Sequence, residues 1–137
     1  MDILGYAASF EQFHPTDMLL WSRMAEDNGF GAVMASDHFH PWVPSQGHSA
    51  FVWSWLGALG VQTSLRFGTG VTPPGYRYHP AIIAQAAATL EAMFPGRFYL
   101  GLGAGEALNE HIVGMYWPEA PVRLERLAEV LLQGARL

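Results

Sequence analysis

The stretch SDHFHPW, from Ser36 to Trp42, sets an acid, two imidazoles and an indole in one short loop, directly after the apolar run GAVMA. Asp37 beside His38 suits proton transfer, because an imidazole changes charge near neutral pH and a neighbouring carboxylate tunes it. His38 and His40, joined by His48 or His111, form an alternative metal-ligand set, and a metal-dependent hydrolase would be its function. Against that set, Pro41 turns the chain straight after His40, and no H-E-x-x-H or H-x-x-E-H spacing occurs. Glu11, Thr72, Glu106 and Asn109 are further polar residues placed just beyond apolar runs. Taken singly, each has a plainer reading: His38 a hydrogen-bonded loop residue, Trp42 a core or ligand wall, Glu11 a solvated carboxylate.

What decides between these readings is the scaffold. Strands are expected at Ile3–Ala8, Gly31–Ala35, Leu65–Thr69 and Arg97–Leu102. Helices are expected from Pro15, with Met18, Trp21 and Ala25 on one face, over Phe51–Gln62, from Pro80, with Ile82, Ala86 and Leu90 on one face, and over Leu124–Leu132. Strand starts at Ile3, Ala32, Leu65 and Arg97 lie 29, 33 and 32 residues apart, the length of one strand-plus-helix unit. The strands read as continuous apolar runs, as a parallel sheet covered by helices requires. The polar candidates then fall at four different strand ends: Glu11 after the first, Asp37 and His38 after the second, Thr72 after the third, Glu106 and Asn109 after the fourth. A (β/α) barrel builds its site from those loops, whereas an open doubly wound sheet gathers its site at one switch point. Gly101, Gly103 and Gly105 give only G-x-G-x-G, and Glu106 stands where a dinucleotide fingerprint needs its last glycine. These glycines are expected to form a tight strand-to-loop turn that lets a flat ligand approach the backbone.

Composition narrows the chemistry. The chain of 137 residues has no cysteine, and all seven of its basic residues are arginine, so thiolate, Schiff-base lysine and P-loop lysine chemistry are excluded. The net charge of -5 argues against a phosphate-backbone partner, and nucleic acid is set aside. The opening MDILGYAASF has no basic residue and no signal-type apolar core, and no apolar run reaches the length of a membrane helix. The expected setting is the cytoplasm, with a small-molecule substrate and no membrane partner.

SDHFHPW, GHSAFVWSW, the segment from Gly68 to Phe98 and above all GLGAGEALNEHIVG closely resemble the luciferase-like oxidoreductases that use the deazaflavin coenzyme F420. Within them the likeness is greatest to the F420-dependent glucose-6-phosphate dehydrogenase family, and it runs from Gly5 to Arg126. The resemblance implies a (β/α)8 TIM barrel, of which residues 1–137 would supply the N-terminal half, the first four βα units, and a homodimer at full length. It implies that His38 takes the substrate hydroxyl proton, or stabilises the charge left there, as a hydride moves to the deazaflavin, and that Glu106 protonates the ring nitrogen of the reduced cofactor. Trp42 would position substrate, Glu11 would orient His38, and Asp37 and Asn109 would contact the cofactor. Gly70–Val71 would form a non-prolyl cis peptide backing the ring. A carboxyl that delivers a proton near neutral pH needs an apolar, ring-covered pocket, for which Ala104 and Leu108 flank Glu106.

The resemblance has departures. Glycine stands at position 70 where the sugar-phosphate enzymes typically carry serine, the turn TPPG (Thr72–Gly75) is richer in proline, and the basic residues that hold a substrate phosphate belong to the later half of the barrel. FMN is the alternative cofactor, with a luciferase-like monooxygenase as the corresponding function, and a ligand-binding homologue without turnover is a further alternative. Four units would leave two open sheet edges and a bare barrel interior, so the 137-residue chain alone is expected to be inactive and to be the N-terminal part of a longer protein.

Overall fold

The computed structural model describes residues 3–134. Strand and helix alternate along the chain: β1 (Gly5–Ala8), α1 (Pro15–Asp27), β2 (Ala32–Ala35), α2 (Val52–Gln62), β3 (Arg66–Thr69), α3 (Pro80–Met93), β4 (Phe98–Tyr99), α4 (Ala107–Glu110) and α5 (Ala120–Gly134). Two helices open on the same device. His14 and His79 precede Pro15 and Pro80, and each imidazole Nδ1 accepts from a backbone N–H of the first turn, Thr16 at 3.3 Å and Ala81 at 3.2 Å. Proline at the first helical position has no N–H to lose there.

All strand pairs are parallel, in the order β1-β2-β3-β4, with Gly5 opposite Ala32, Ala32 opposite Arg66 and Phe67 opposite Phe98. This order never reverses, so the sheet has no switch point of the doubly wound kind. It is the first four βα units of a barrel wall. The strands are shorter than the apolar runs that announce them, β4 most of all. Past Tyr99 the chain leaves the ladder because the Gly101 carbonyl is held by the Thr72 N–H at 2.8 Å and the Thr69 hydroxyl at 3.0 Å. Only a bridge between Thr72 and Leu102 continues the pairing.

The core lies between the sheet and the helices. Val33, Phe67, Met18, Leu56 and Leu59 are fully buried there, each side chain contributing about 1.5–3 kcal/mol, and Phe10 meets Trp55 edge to face at 4.8 Å. Along β2 the pattern alternates, with Val33 and Ala35 buried and Met34 45% exposed. The continuous apolar runs are thus covered by helices on one face, while Met34 and Tyr99 stand on the other.

Two helix faces differ from expectation. On α3 the buried residues are Pro80, Ile83, Ala84 and Leu90, and Ile82 is exposed. This helix is apolar nearly all round, so its periodicity does not select a face. On α1 the buried stripe is Met18, Ser22 and Ala25, with Trp21 packed at its margin. Helix α5 begins at Ala120, ahead of the expected Leu124, and α4 was not expected. Among the described residues no helix is long and apolar enough to cross a membrane.

Candidate active site

The loops at the carboxyl ends of all four strands meet. Glu11, beyond β1, is 3% exposed and not solvated as its isolated position in the sequence implied. Ser9 donates to its Oε2 at 2.7 Å, and its Oε1 bonds Nδ1 of His38, beyond β2. With Nδ1 committed to a carboxylate, the second ring nitrogen faces Glu106, beyond β4, at 3.7 Å from Oε1. That separation exceeds a hydrogen bond, so each group remains able to address a third. The Trp42 indole meets the His38 ring edge to face, centroids 5.0 Å apart, and is 52% exposed, a wall and not a core residue.

Asn109 joins two of these loops. Its Oδ1 accepts from the N–H of Phe39 at 2.6 Å and of His40 at 2.8 Å, and its Nδ2 donates to Glu106 Oε1. Glu106 is the residue before α4, so the short helix turns Asn109 back toward the SDHFH loop. Leu108 points elsewhere. It is 46% exposed and lines a shallow hollow with His40, Trp42 and His111, so of its two flanking residues only Ala104 shares a cleft with Glu106.

That cleft has a volume of about 270 Å³. Asp37, His38, Glu106, Asn109 and Glu110 supply its polar lining, and Val71, Pro73, Ala104 and Gly105 its small apolar lining. The Gly70–Val71 peptide is cis. A Cβ at Gly103 would overlap the Val71 side chain, and one at Gly70 would overlap Met34, so these glycines allow backbone and side chain to close up behind the cleft. A serine at 70 would therefore require Met34 to move. Gly105 has φ 73°, a left-handed turn suited to glycine.

Asp37 is 2% exposed and heavily engaged: Thr72 Oγ1 donates to Oδ2 at 2.7 Å, Tyr78 Oη to Oδ1 at 2.9 Å and an Arg77 Nη to Oδ1 at 3.2 Å. Burial, then the Asp37 charge, raises the Tyr78 hydroxyl above its ordinary range, so it acts as a donor. Arg77 Nε also donates to Glu110 Oε1 at 2.8 Å. Sequence reasoning missed Arg77, Tyr78 and Glu110 as site residues, although RYH (77–79) and NEH (109–111) are polar triplets inside apolar surroundings. As for a metal, no group of His, Asp and Glu able to hold one occurs among the described residues. His48 instead packs edge-on to His14 at 6.0 Å.

Electrostatics follow the geometry. Burial opposes ionisation of Glu11, but hydrogen bonds from His38, Ser9, its own backbone N–H and Ser36 outweigh it and bring its pKa down to about 2 from 4.5. At His38 burial disfavours the imidazolium, yet the Glu11 hydrogen bond and the charges of Glu11, Glu106 and Asp37 raise the pKa above 6.5. Because Glu11 is depressed, its stabilisation is present above about pH 4.5 and lost as pH falls toward about 2. Because His38 is raised, its share is present below pH 6.5 and lost as pH climbs through the folded value. Urea midpoints for the protein and its Glu11→Gln variant should differ most between about pH 4.5 and 6.5, converge as pH falls toward about 2, and narrow without vanishing as His38 loses its proton. A difference that stays constant across these pH values would show that the two groups are not coupled.

Parallel βα units that bring titratable side chains together at several strand ends have the arrangement of a (β/α) barrel whose site lies at the carboxyl face. The model of the luciferase-like monooxygenase family matches residues 4–134, and the chain belongs to that family. It is 51% identical over 128 residues to an F420-dependent glucose-6-phosphate dehydrogenase of Microbacterium testaceum, covering 93% of this chain and 38% of that protein. A second such dehydrogenase, from Segniliparus rotundus, is also 51% identical, over 92% of this chain and 38% of its own length. Among solved structures, an F420-dependent secondary alcohol dehydrogenase in complex with an F420-acetone adduct superposes with a TM-score of 0.94 at 43% identity, over 98% of this chain and 41% of that one. The chain thus spans about 38% of the length of the curated relatives it matches.

Proposed function

We propose that this chain carries the proton-handling half of an F420-dependent oxidoreductase that moves a hydride between a CH–OH carbon and the deazaflavin. The observation that carries the reading is the line Glu11–His38–Glu106, an imidazole held by one carboxylate with its free nitrogen 3.7 Å from another. The cleft suits a flat ring, since one side is small and apolar and the other holds the titratable groups. Val71, Pro73 and Ala104 would back such a ring, with Asn109 and Asp37 at its border. When bound, the deazaflavin supplies the carbon that accepts or returns the hydride.

The residues divide the remaining work. His38 takes the hydroxyl proton at its free nitrogen, and Glu11 steadies the imidazolium that results. Asn109 occupies Oε1 of Glu106, which leaves Oε2 to hold and deliver a proton. Trp42, exposed beside His38, orients the substrate carbon.

The described cleft lining supplies groups for the reacting CH–OH and no arginine, so the reading commits to that group, on an alcohol or a sugar phosphate alike. The test is turnover by the full-length protein that contains this chain, offered F420 with secondary alcohols and with glucose 6-phosphate. Loss of the oxidised deazaflavin absorbance is expected with at least one CH–OH donor and is insensitive to chelator. Tight cofactor binding without reduction by any donor would overturn the reading in favour of a binding protein, and chelator-sensitive hydrolysis would favour a metal enzyme.

A further inference from the structure

Asp37 and Glu110, which line the cleft, meet beneath it in an ion cluster whose cation, Arg77, the proposed chemistry leaves unused. Arg77, between β3 and α3, has a side chain only 7% exposed. It reaches in two directions. Toward α4, its Nε and its backbone N–H donate to the two carboxylate oxygens of Glu110 at 2.8 and 3.0 Å. Toward the β2 loop, a single Nη donates to the Asp37 backbone carbonyl at 2.7 Å and to Asp37 Oδ1 at 3.2 Å. Asp37 precedes His38, and Glu110 ends the helix that Glu106 caps. One planar guanidinium therefore spans the two segments whose tips are the imidazole and the second carboxyl. On the cleft side Asn109 also links the two segments, through Phe39, His40 and Glu106.

We propose that Arg77 is a positioning residue: its fork to Glu110 and to Asp37 sets the spacing of His38 and Glu106 and neutralises part of the buried charge beneath them. The inference rests on the proposed function for its kinetic arm but not for its spectroscopic one. A lysine would keep the charge yet lack the fork, and a point charge cannot hold both partners in fixed directions. Displacements of about 1 Å in a reacting constellation can cost about 10²-fold in rate.

The experiment uses the full-length protein containing this chain, with Arg77→Lys and Arg77→Gln made alone and with His38→Ala. Arg77→Lys is expected to lower kcat for deazaflavin reduction by about 10²-fold in the parent and to add little in the His38→Ala background, because the residue acts through His38. A merely structural role would reduce both backgrounds equally. The cofactor-free readout is the titration of His38 by NMR. Glu11 faces that ring from the β1 loop, Glu106 from the β4 loop and Asp37 from its own loop, with Arg77 the cation bound to Asp37. Arg77→Gln is therefore expected to move the His38 midpoint upward. Wild-type kcat in Arg77→Lys, equal losses in both backgrounds, or an unmoved His38 midpoint would each overturn the proposal. If the Arg77 variants do not fold, Glu110→Gln cuts the same tie from the helix side, with the same non-additivity expected. If the parent protein does not reduce F420 at all, the functional reading fails, and the NMR arm alone decides on Arg77.

Discussion

Replacing His38 by alanine in the full-length protein is expected to lower the rate of deazaflavin reduction by about 10²- to 10⁴-fold, the usual worth of a positioned acid or base. The deficit should lie in kcat, since the ring is proposed to accept the proton, and cofactor binding followed by fluorescence should change little. The physical reason is the pairing with Glu11. A buried carboxylate with its pKa near 2 stays charged across the working range and favours the imidazolium that forms as the proton arrives. An alanine leaves that charge without its partner and the hydroxyl without a base. Retention of full kcat in His38→Ala would end the proposed mechanism.

The second large effect is expected for Glu106→Gln, of the same order. Glutamine keeps a carbonyl oxygen for Asn109 Nδ2, so Asn109 can retain its grip on the Phe39 and His40 amides. What disappears is the group able to deliver a proton. The comparison with Glu106→Ala separates the two roles, because alanine also leaves Asn109 Nδ2 without its acceptor and should weaken cofactor binding as well. Should glutamine support turnover equal to the parent, proton delivery at position 106 is not part of the reaction.

Much of this arrangement was legible before any coordinates. The 29-, 33- and 32-residue spacing and the apolar runs pointed to sequential βα units, and the placement of Glu11, Asp37, His38, Thr72, Glu106 and Asn109 just beyond those runs pointed to one face. The convergence of His38 and Glu106 follows from that topology. The burial of Glu11 was not legible, because an isolated acid after a strand reads as solvated, and only contact with His38 and Ser9 explains it. Arg77 and Glu110 were missed for a related reason. A buried ion pair is recognised by its partner across the fold, and the sequence separates these two by 33 residues. The exposed Ile82 and the outward Leu108 show where apolar periodicity loses its meaning: on a helix apolar all round, and on a helix only one turn long.

The carboxamide at position 109 presents one end to a pair of donors and the other to an acceptor, a polarity that neither aspartate nor leucine can reproduce. Aspartate would set like charges against each other, and leucine would strand two amides with no acceptor in reach. The shape of the main chain at Phe39 and His40 is thus relayed to the Glu106 carboxyl through a single amide, so selection at this spot should act on the identity of the terminal atoms more than on side-chain bulk.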